Sequence, residues 1–252
     1  MAFDPSQFTV QKAKPLPVML LLDVSGSMSG VKIETLNTAV RSMLDTFTDE
    51  TTNETDIVVS IITFGADLKR LFPFTPATEV RFENLTAHGG TPLGEALRMA
   101  KAIIEDREET PSRSYRPTVV LVSDGRPGDE WRQPLQDFIS EGRSSKCDRM
   151  AMAIGADADL GVLGSFIEGT SNPLFAAHRA SEILGFFKRV TMSVTMRTKS
   201  QNPNVIPVVA EAVGAQSPAQ QPTGPATVSV TLDGPSIQPN GAPTSVDDDD
   251  FF

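Results

Sequence analysis

Five side chains that end in oxygen, carried by three separated segments, are the residues of this 252-residue chain best suited to chemistry. Asp23, Ser25 and Ser27 stand in Leu22-Asp23-Val24-Ser25-Gly26-Ser27-Met28, directly after the apolar run Val18 to Leu22. Thr91 stands in His88-Gly89-Gly90-Thr91-Pro92, and Asp124 in Val122-Ser123-Asp124-Gly125, after the apolar run Thr118 to Val122. An all-oxygen donor set without Cys or His suits a hard cation, Mg²⁺ or Mn²⁺. Each segment also has a plainer reading when taken singly. Ser25 to Ser29 fits a turn leading into a capped helix, Thr91 an N-cap with proline at the first helical position, and Asp124-Gly125 an ordinary turn.

The elements that must position these residues can be read from periodicity. Strand candidates are 17–23, 56–64, 68–74, 117–123, 149–155 and 173–177. Helical stripes are formed by Ile33, Leu36, Val40, Met43, Leu44 and Phe47; by Leu93, Leu97, Ala100 and Ile104; by Trp131, Leu135, Phe138 and Ile139; and by Ile183, Phe187, Val190 and Val194. The segments 17–23 and 117–123 are apolar without alternation, as in strands covered on both faces of a parallel sheet. Strands 56–64 and 68–74 are too close for an intervening helix and are expected to pair as an antiparallel hairpin at a sheet edge. The expected fold class is therefore α/β: three layers, doubly wound, with a mostly parallel sheet and one antiparallel edge strand. Ligands of such sheets sit beyond the carboxyl ends of the strands, where Asp23 and Asp124 lie.

At these residues the chain resembles the von Willebrand factor A-type (VWA) domain family. Asp23-x-Ser25-x-Ser27, then Thr91, then Asp124 match its metal-ion-dependent adhesion site (MIDAS). The phrases Val18 to Met28 and Gly89-Gly90-Thr91-Pro92-Leu93-Gly94-Glu95-Ala96-Leu97 are similar to the bacterial, tellurite-resistance-associated TerY-like branch. The resemblance spans roughly 15–199. It implies that the strands ending at Asp23 and Asp124 are neighbours, that the hydroxyls bind the metal directly, and that the carboxylates bind it directly or through water. Neutral direct ligands leave the ion short of negative charge, which an Asp or Glu of a partner protein supplies. The implied function is metal-dependent protein interaction rather than catalysis. The TerY-like branch further implies a PP2C-type phosphatase and a Ser/Thr kinase as company, in stress-response or defence signalling; a co-chaperone or assembly factor for an AAA+ ATPase is a variant of the same reading.

Two other classes compete. A metal-assisted hydrolase would use the cation to activate water, with His88 as the nearby candidate base; no His/Glu cluster or Ser-His-Asp context accompanies it. A nucleotide site is weak, because Gly26-Ser27-Met28-Ser29-Gly30 follows a strand but neither phosphate-loop pattern is present. Around the site, His88, Arg126 and Asp129 are candidates for a partner-binding rim, or are solvated loop residues. Trp131 is expected in the core, Cys147 as a structural thiol, and His178 has no assigned role.

Charge is unevenly distributed. Residues 201–252 hold six of the 32 acidic residues and none of the 22 basic ones, so the first 200 carry only −4 of the net −10. A nearly balanced body with an acidic tail argues against direct nucleic-acid binding. One cysteine and no signal-like or membrane-length apolar segment lead to the expectation of a cytoplasmic protein with no membrane partner. The expected organisation is an N-terminal extension (1–14), the domain (15–199), a Pro/Ala/Gln/Ser-rich linker (200–246) with one strand-like stretch at 227–234, and an acidic-aromatic tip (247–252). That tip, Asp247, Asp248, Asp249, Asp250, Phe251 and Phe252, resembles the acidic Phe-ending tips of bacterial single-stranded-DNA-binding proteins. The plainer reading is a solubilising tail with an accidental ending; as a third reading, its carboxylates are within reach of the chain's own cation site, since about 50 flexible residues span roughly 40 Å.

Overall fold

The computed structural model describes residues 13–51 and 55–207. The expected extension up to residue 12, the strand-like stretch 227–234 and the tip 247–252 lie outside the described residues, as does the linker beyond residue 207. Among the described residues six strands form one sheet: β1 (Lys14–Asp23), β2 (Thr55–Phe64), β3 (Leu68–Pro76), β4 (Thr118–Ser123), β5 (Asp148–Ile154) and β6 (Phe175–Ala177). Their spatial order is β3-β2-β1-β4-β5-β6. All neighbours are parallel except β2 and β3, which form the expected antiparallel hairpin at one edge. β3 is half-exposed and carries Lys69, Arg70, Pro73 and Pro76, residues that discourage further strand pairing.

Among the described residues five helices cover the sheet: α1 (Val31–Glu50), α2 (Leu93–Glu105), α3 (Arg132–Ser140), α4 (Leu160–Ile167) and α5 (Ala180–Thr198). Alternate residues of β1 point into opposite cores. Leu16, Val18, Leu20 and Leu22 join the apolar faces of α1 and α5. Met19 and Leu21 join those of α2, α3 and α4. Burial on both faces explains the unbroken apolar runs of the central strands.

Helix α4 escapes a reading by periodicity. Its sequence Leu-Gly-Val-Leu-Gly-Ser-Phe-Ile is short and nearly all apolar, so no polar face marks a period. The signal it does carry is its cap: Asp159 Oδ1 accepts from the amides of Gly161 and Val162 at 3.1 Å each. Trp131 is not a member of the α3 stripe. It stands at the N-cap of α3 and packs partly buried against the core edge, with the Arg132 guanidinium 4.7 Å from its ring. The packed chain also continues past Lys199: Arg197, fully buried, donates to the Pro203 carbonyl at 2.6 Å, and Arg116 N–H donates to Asn204 Oδ1 at 2.8 Å.

Candidate metal centre

β1 and β4 are adjacent, with Leu22 opposite Val122, so the residues that follow them emerge side by side at the carboxyl edge of the sheet. Asp23 closes β1 with no exposed surface. Its Oδ1 accepts from the Ser25 amide at 2.8 Å and its Oδ2 from the Ser123 hydroxyl at 2.6 Å. Burial pushes the Asp23 carboxyl up to about 6, against the opposing hydrogen bonds from Ser123 and Ser25 and with a smaller contribution from the Asp124 charge.

A single 3-10 turn over Gly26–Met28 follows, anchored by the buried Met28 side chain. It turns Ser25 and Ser27 towards Asp124. The Ser27 hydroxyl donates to Asp124 Oδ1 at 2.7 Å, the two serine oxygens are 3.0 Å apart, and Ser25 Oγ is 3.5 Å from the same carboxylate oxygen. Thr91 is almost buried in the loop before α2. It is one residue earlier than an N-cap, because Pro92 occupies that position and α2 begins at Leu93. A methyl placed on Gly125 would lie 3.6 Å from Thr91 Oγ1 and 3.9 Å from Ser27 Oγ. The bare glycine thus keeps a methyl out of contact with both hydroxyls.

Main-chain hydrogen bonds join the three loops. Gly26 N–H donates to the Gly89 carbonyl at 2.9 Å, His88 N–H to the Val24 carbonyl at 2.7 Å, and Gly128 N–H to the Thr91 carbonyl at 2.9 Å. Gly89 has φ 82°, and any side chain there would collide with Ala66, which fixes glycine at this crossing. The structure therefore brings Asp23, Ser25, Ser27, Thr91 and Asp124 to one edge of the sheet.

The rim candidates separate. Asp129 acts as a structural clamp, its two carboxylate oxygens accepting from the Gly94 and Glu95 amides at 3.0 Å each and holding the first turn of α2. His88 is exposed, its backbone part of the loop seam and its Nδ1 3.3 Å from the Thr86 carbonyl. It lines a cleft of about 380 Å³ beside the site, together with Asp67, Lys69, Arg81 and Glu83. Arg126 is exposed one residue beyond Gly125. Two further participants are not apparent from the motifs. Ser123 holds Asp23, as above, and Lys32, in the first turn of α1, donates to Asp124 Oδ2 at 2.9 Å. Ser123 could have been found as the residue abreast of Asp23; no spacing rule points to Lys32.

These donors fit a hard dication. Two buried carboxylates face one site with three neutral hydroxyls, so the site has oxygen ligands and excess negative charge. Among the described residues no group of three or more His, Cys, Asp or Glu side chains gathers to form a softer or carboxylate-rich metal site.

Residues 18–126 match the family model of the von Willebrand factor type A domain. Over this stretch the chain is similar to a VWA domain. A 160-residue stretch is 27% identical to inter-alpha-trypsin inhibitor heavy chain H2 of Mus musculus, covering 60% of this chain and 17% of that protein. The chain thus spans about a sixth of that relative's length. Among solved structures, the von Willebrand factor type A protein from Catenulispora acidiphila superimposes with a TM-score of 0.54 at 17% identity, over 73% of this chain and 43% of that one. The proximal thread matrix protein 1 of the mussel byssus, in a form with a zinc-occupied MIDAS motif, gives 0.50 at 15% identity, over 71% and 48%. At these identities the structural likeness establishes the fold, a VWA-type doubly wound sheet.

Proposed function

We propose that this chain is a VWA domain and acts as a metal-dependent protein-interaction module. Asp23, Ser25, Ser27, Thr91 and Asp124 hold Mg²⁺ or Mn²⁺, and the ion binds an Asp or Glu carboxylate of a partner protein. The observation that carries this reading is the convergence of two buried carboxylates and three hydroxyls from three loops joined through their main chains. Hard dications take oxygen ligands in near-octahedral geometry. When bound, the ion supplies an electrophilic centre for an anionic ligand. The protein's own groups shape that centre: Ser27 is oriented by its bond to Asp124, Asp23 by Ser123 and the Ser25 amide, and Gly125 leaves the approach open. The zinc-occupied MIDAS motif of the mussel protein supports a cation at the corresponding place in the fold.

The finer proposal follows the resemblance to the TerY-like branch. The partners are a PP2C-type phosphatase and a Ser/Thr kinase of a cytoplasmic tellurite- or stress-response complex. His88 and Arg126 face such a partner from the rim, and the acidic tip Asp247 to Phe252 offers a second contact in cis or in trans.

Titration of the purified chain with Mn²⁺, followed by electron paramagnetic resonance, tests the cation. One ion per wild-type chain is expected, with affinity at least about tenfold weaker in the Ser25→Ala/Ser27→Ala variant and melting temperature nearly unchanged, since both hydroxyls lie outside the two cores. Equal binding by wild type and variant would remove the assignment. Affinity purification with and without EDTA then tests the partners: phosphatase and kinase are expected only with metal and only with the serines in place.

A further inference from the structure

The cation site carries its own internal cation. Lys32 Nζ lies 2.9 Å from Asp124 Oδ2, and the Lys32 side chain is 16% exposed while that of Asp124 is fully buried. The opposite oxygen of the same carboxylate accepts from Ser27, so Asp124 is gripped from both sides. Lys32 extends from the first turn of α1, and its charge is held at the wall of the site rather than in solvent.

Charge counting shows what this ammonium does. Asp23 and Asp124 together offer two negative charges. A dication would be balanced by them alone, and an incoming carboxylate would then bring net negative charge into a poorly solvated site. With Lys32 present, the same dication leaves the site one positive charge in excess. A single partner carboxylate brings the total to zero. We propose that Lys32 is the residue that makes the loaded site require an acidic ligand: it lowers intrinsic metal affinity and raises the affinity of the metal-loaded protein for a carboxylate. This inference rests on the cation reading above and adds the source of its selectivity. Charges a few ångströms apart near a protein surface interact strongly enough for the effect to be measurable.

The test uses Mn²⁺ as the metal and acetate as the carboxylate probe, with wild type and the variants K32M and K32R at constant ionic strength. Mn²⁺ affinity is read by electron paramagnetic resonance. Acetate binding to the loaded protein is read by the loss of water-proton relaxivity as acetate displaces a manganese-bound water. K32M is expected to bind Mn²⁺ about tenfold more tightly and acetate at least about threefold more weakly. K32R, which keeps the charge, is expected to stay within about twofold of wild type in both. Metal-free K32M is expected to melt below metal-free wild type, because Asp124 is left buried without its counter-ion, and to gain more from Mn²⁺. If Met is not tolerated, K32Q removes the charge while keeping a donor towards Asp124, with the same expected directions. Unchanged or weaker Mn²⁺ binding in the charge-removing variant, with acetate binding unchanged, would reduce Lys32 to a strut for Asp124 and overturn the inference. Absence of Mn²⁺ binding by wild type would overturn the cation reading itself, and this one with it.

Discussion

At the scale of single residues, Asp23 and Gly125 are the most exacting positions. Asp23 is an acid whose folded-state value is raised from 3.8 to about 6 by burial. In the metal-free protein its contribution to stability is therefore complete below about pH 4 and is lost as pH rises through 6, at a cost of about 3 kcal/mol. Urea unfolding of the metal-free chain across this window should show that slope, and Asp23→Asn should flatten it. On the proposed reading the same proton competes with the cation. Mn²⁺ affinity should fall about tenfold between pH 7 and pH 5; a flat profile would mean that Asp23 does not take part. Gly125 is diagnostic for the opposite reason. Its Cβ position has ordinary van der Waals clearance from Thr91 Oγ1 and Ser27 Oγ, so Gly125→Ala should fold normally. The added methyl nonetheless comes within contact distance of both hydroxyls, and Mn²⁺ binding should drop at least about tenfold with the melting curve unmoved.

At the scale of elements, α2 depends on a cap that its own sequence does not supply. Pro92 at the N-cap has no side-chain acceptor, and the carboxylate of Asp129, from the loop after β4, takes over by binding the Gly94 and Glu95 amides. Asp129→Ala should cost about 1 kcal/mol in thermal or urea unfolding. It should also weaken Mn²⁺ binding several-fold through displacement of Thr91, while Asp129→Asn retains most of both. An unaltered Mn²⁺ affinity in Asp129→Ala would show that Thr91 is held without this cap. This also explains what the sequence concealed. Asp23, Thr91 and Asp124 were legible because each stands beside an element end that its neighbours announce. Asp129 and Lys32 act on partners 35 and 92 positions away, which no local pattern records. Helix α4 was hidden differently, since a segment of eight residues with almost no polar side chain has no amphipathic period to detect, even though its Leu160 end is exposed.

At the scale of the whole molecule, the site lies where the chain reverses its direction of travel across the sheet. From β1 it moves outward to β2 and β3, then returns to the other side of β1 for β4, β5 and β6. Loops leaving β1 and β4 diverge there, creating a crevice at the carboxyl edge. Strand runs in the sequence anticipated the six strands and the antiparallel hairpin, because burial on both faces writes itself directly into composition. The adjacency of β1 and β4 is a different kind of fact: it depends on pairing between residues about 100 positions apart, and only the family resemblance anticipated it.

The seams between the three loops run from amide to carbonyl, so they make no demand on side-chain identity except at crossings such as Gly89. Evolution, or a protein engineer, can therefore rewrite the decoration around the candidate metal site, at positions such as His88 and Arg126, without disturbing the frame that presents it. New clientele would be recruited by changing the letters on the collar while the clasp stays the same.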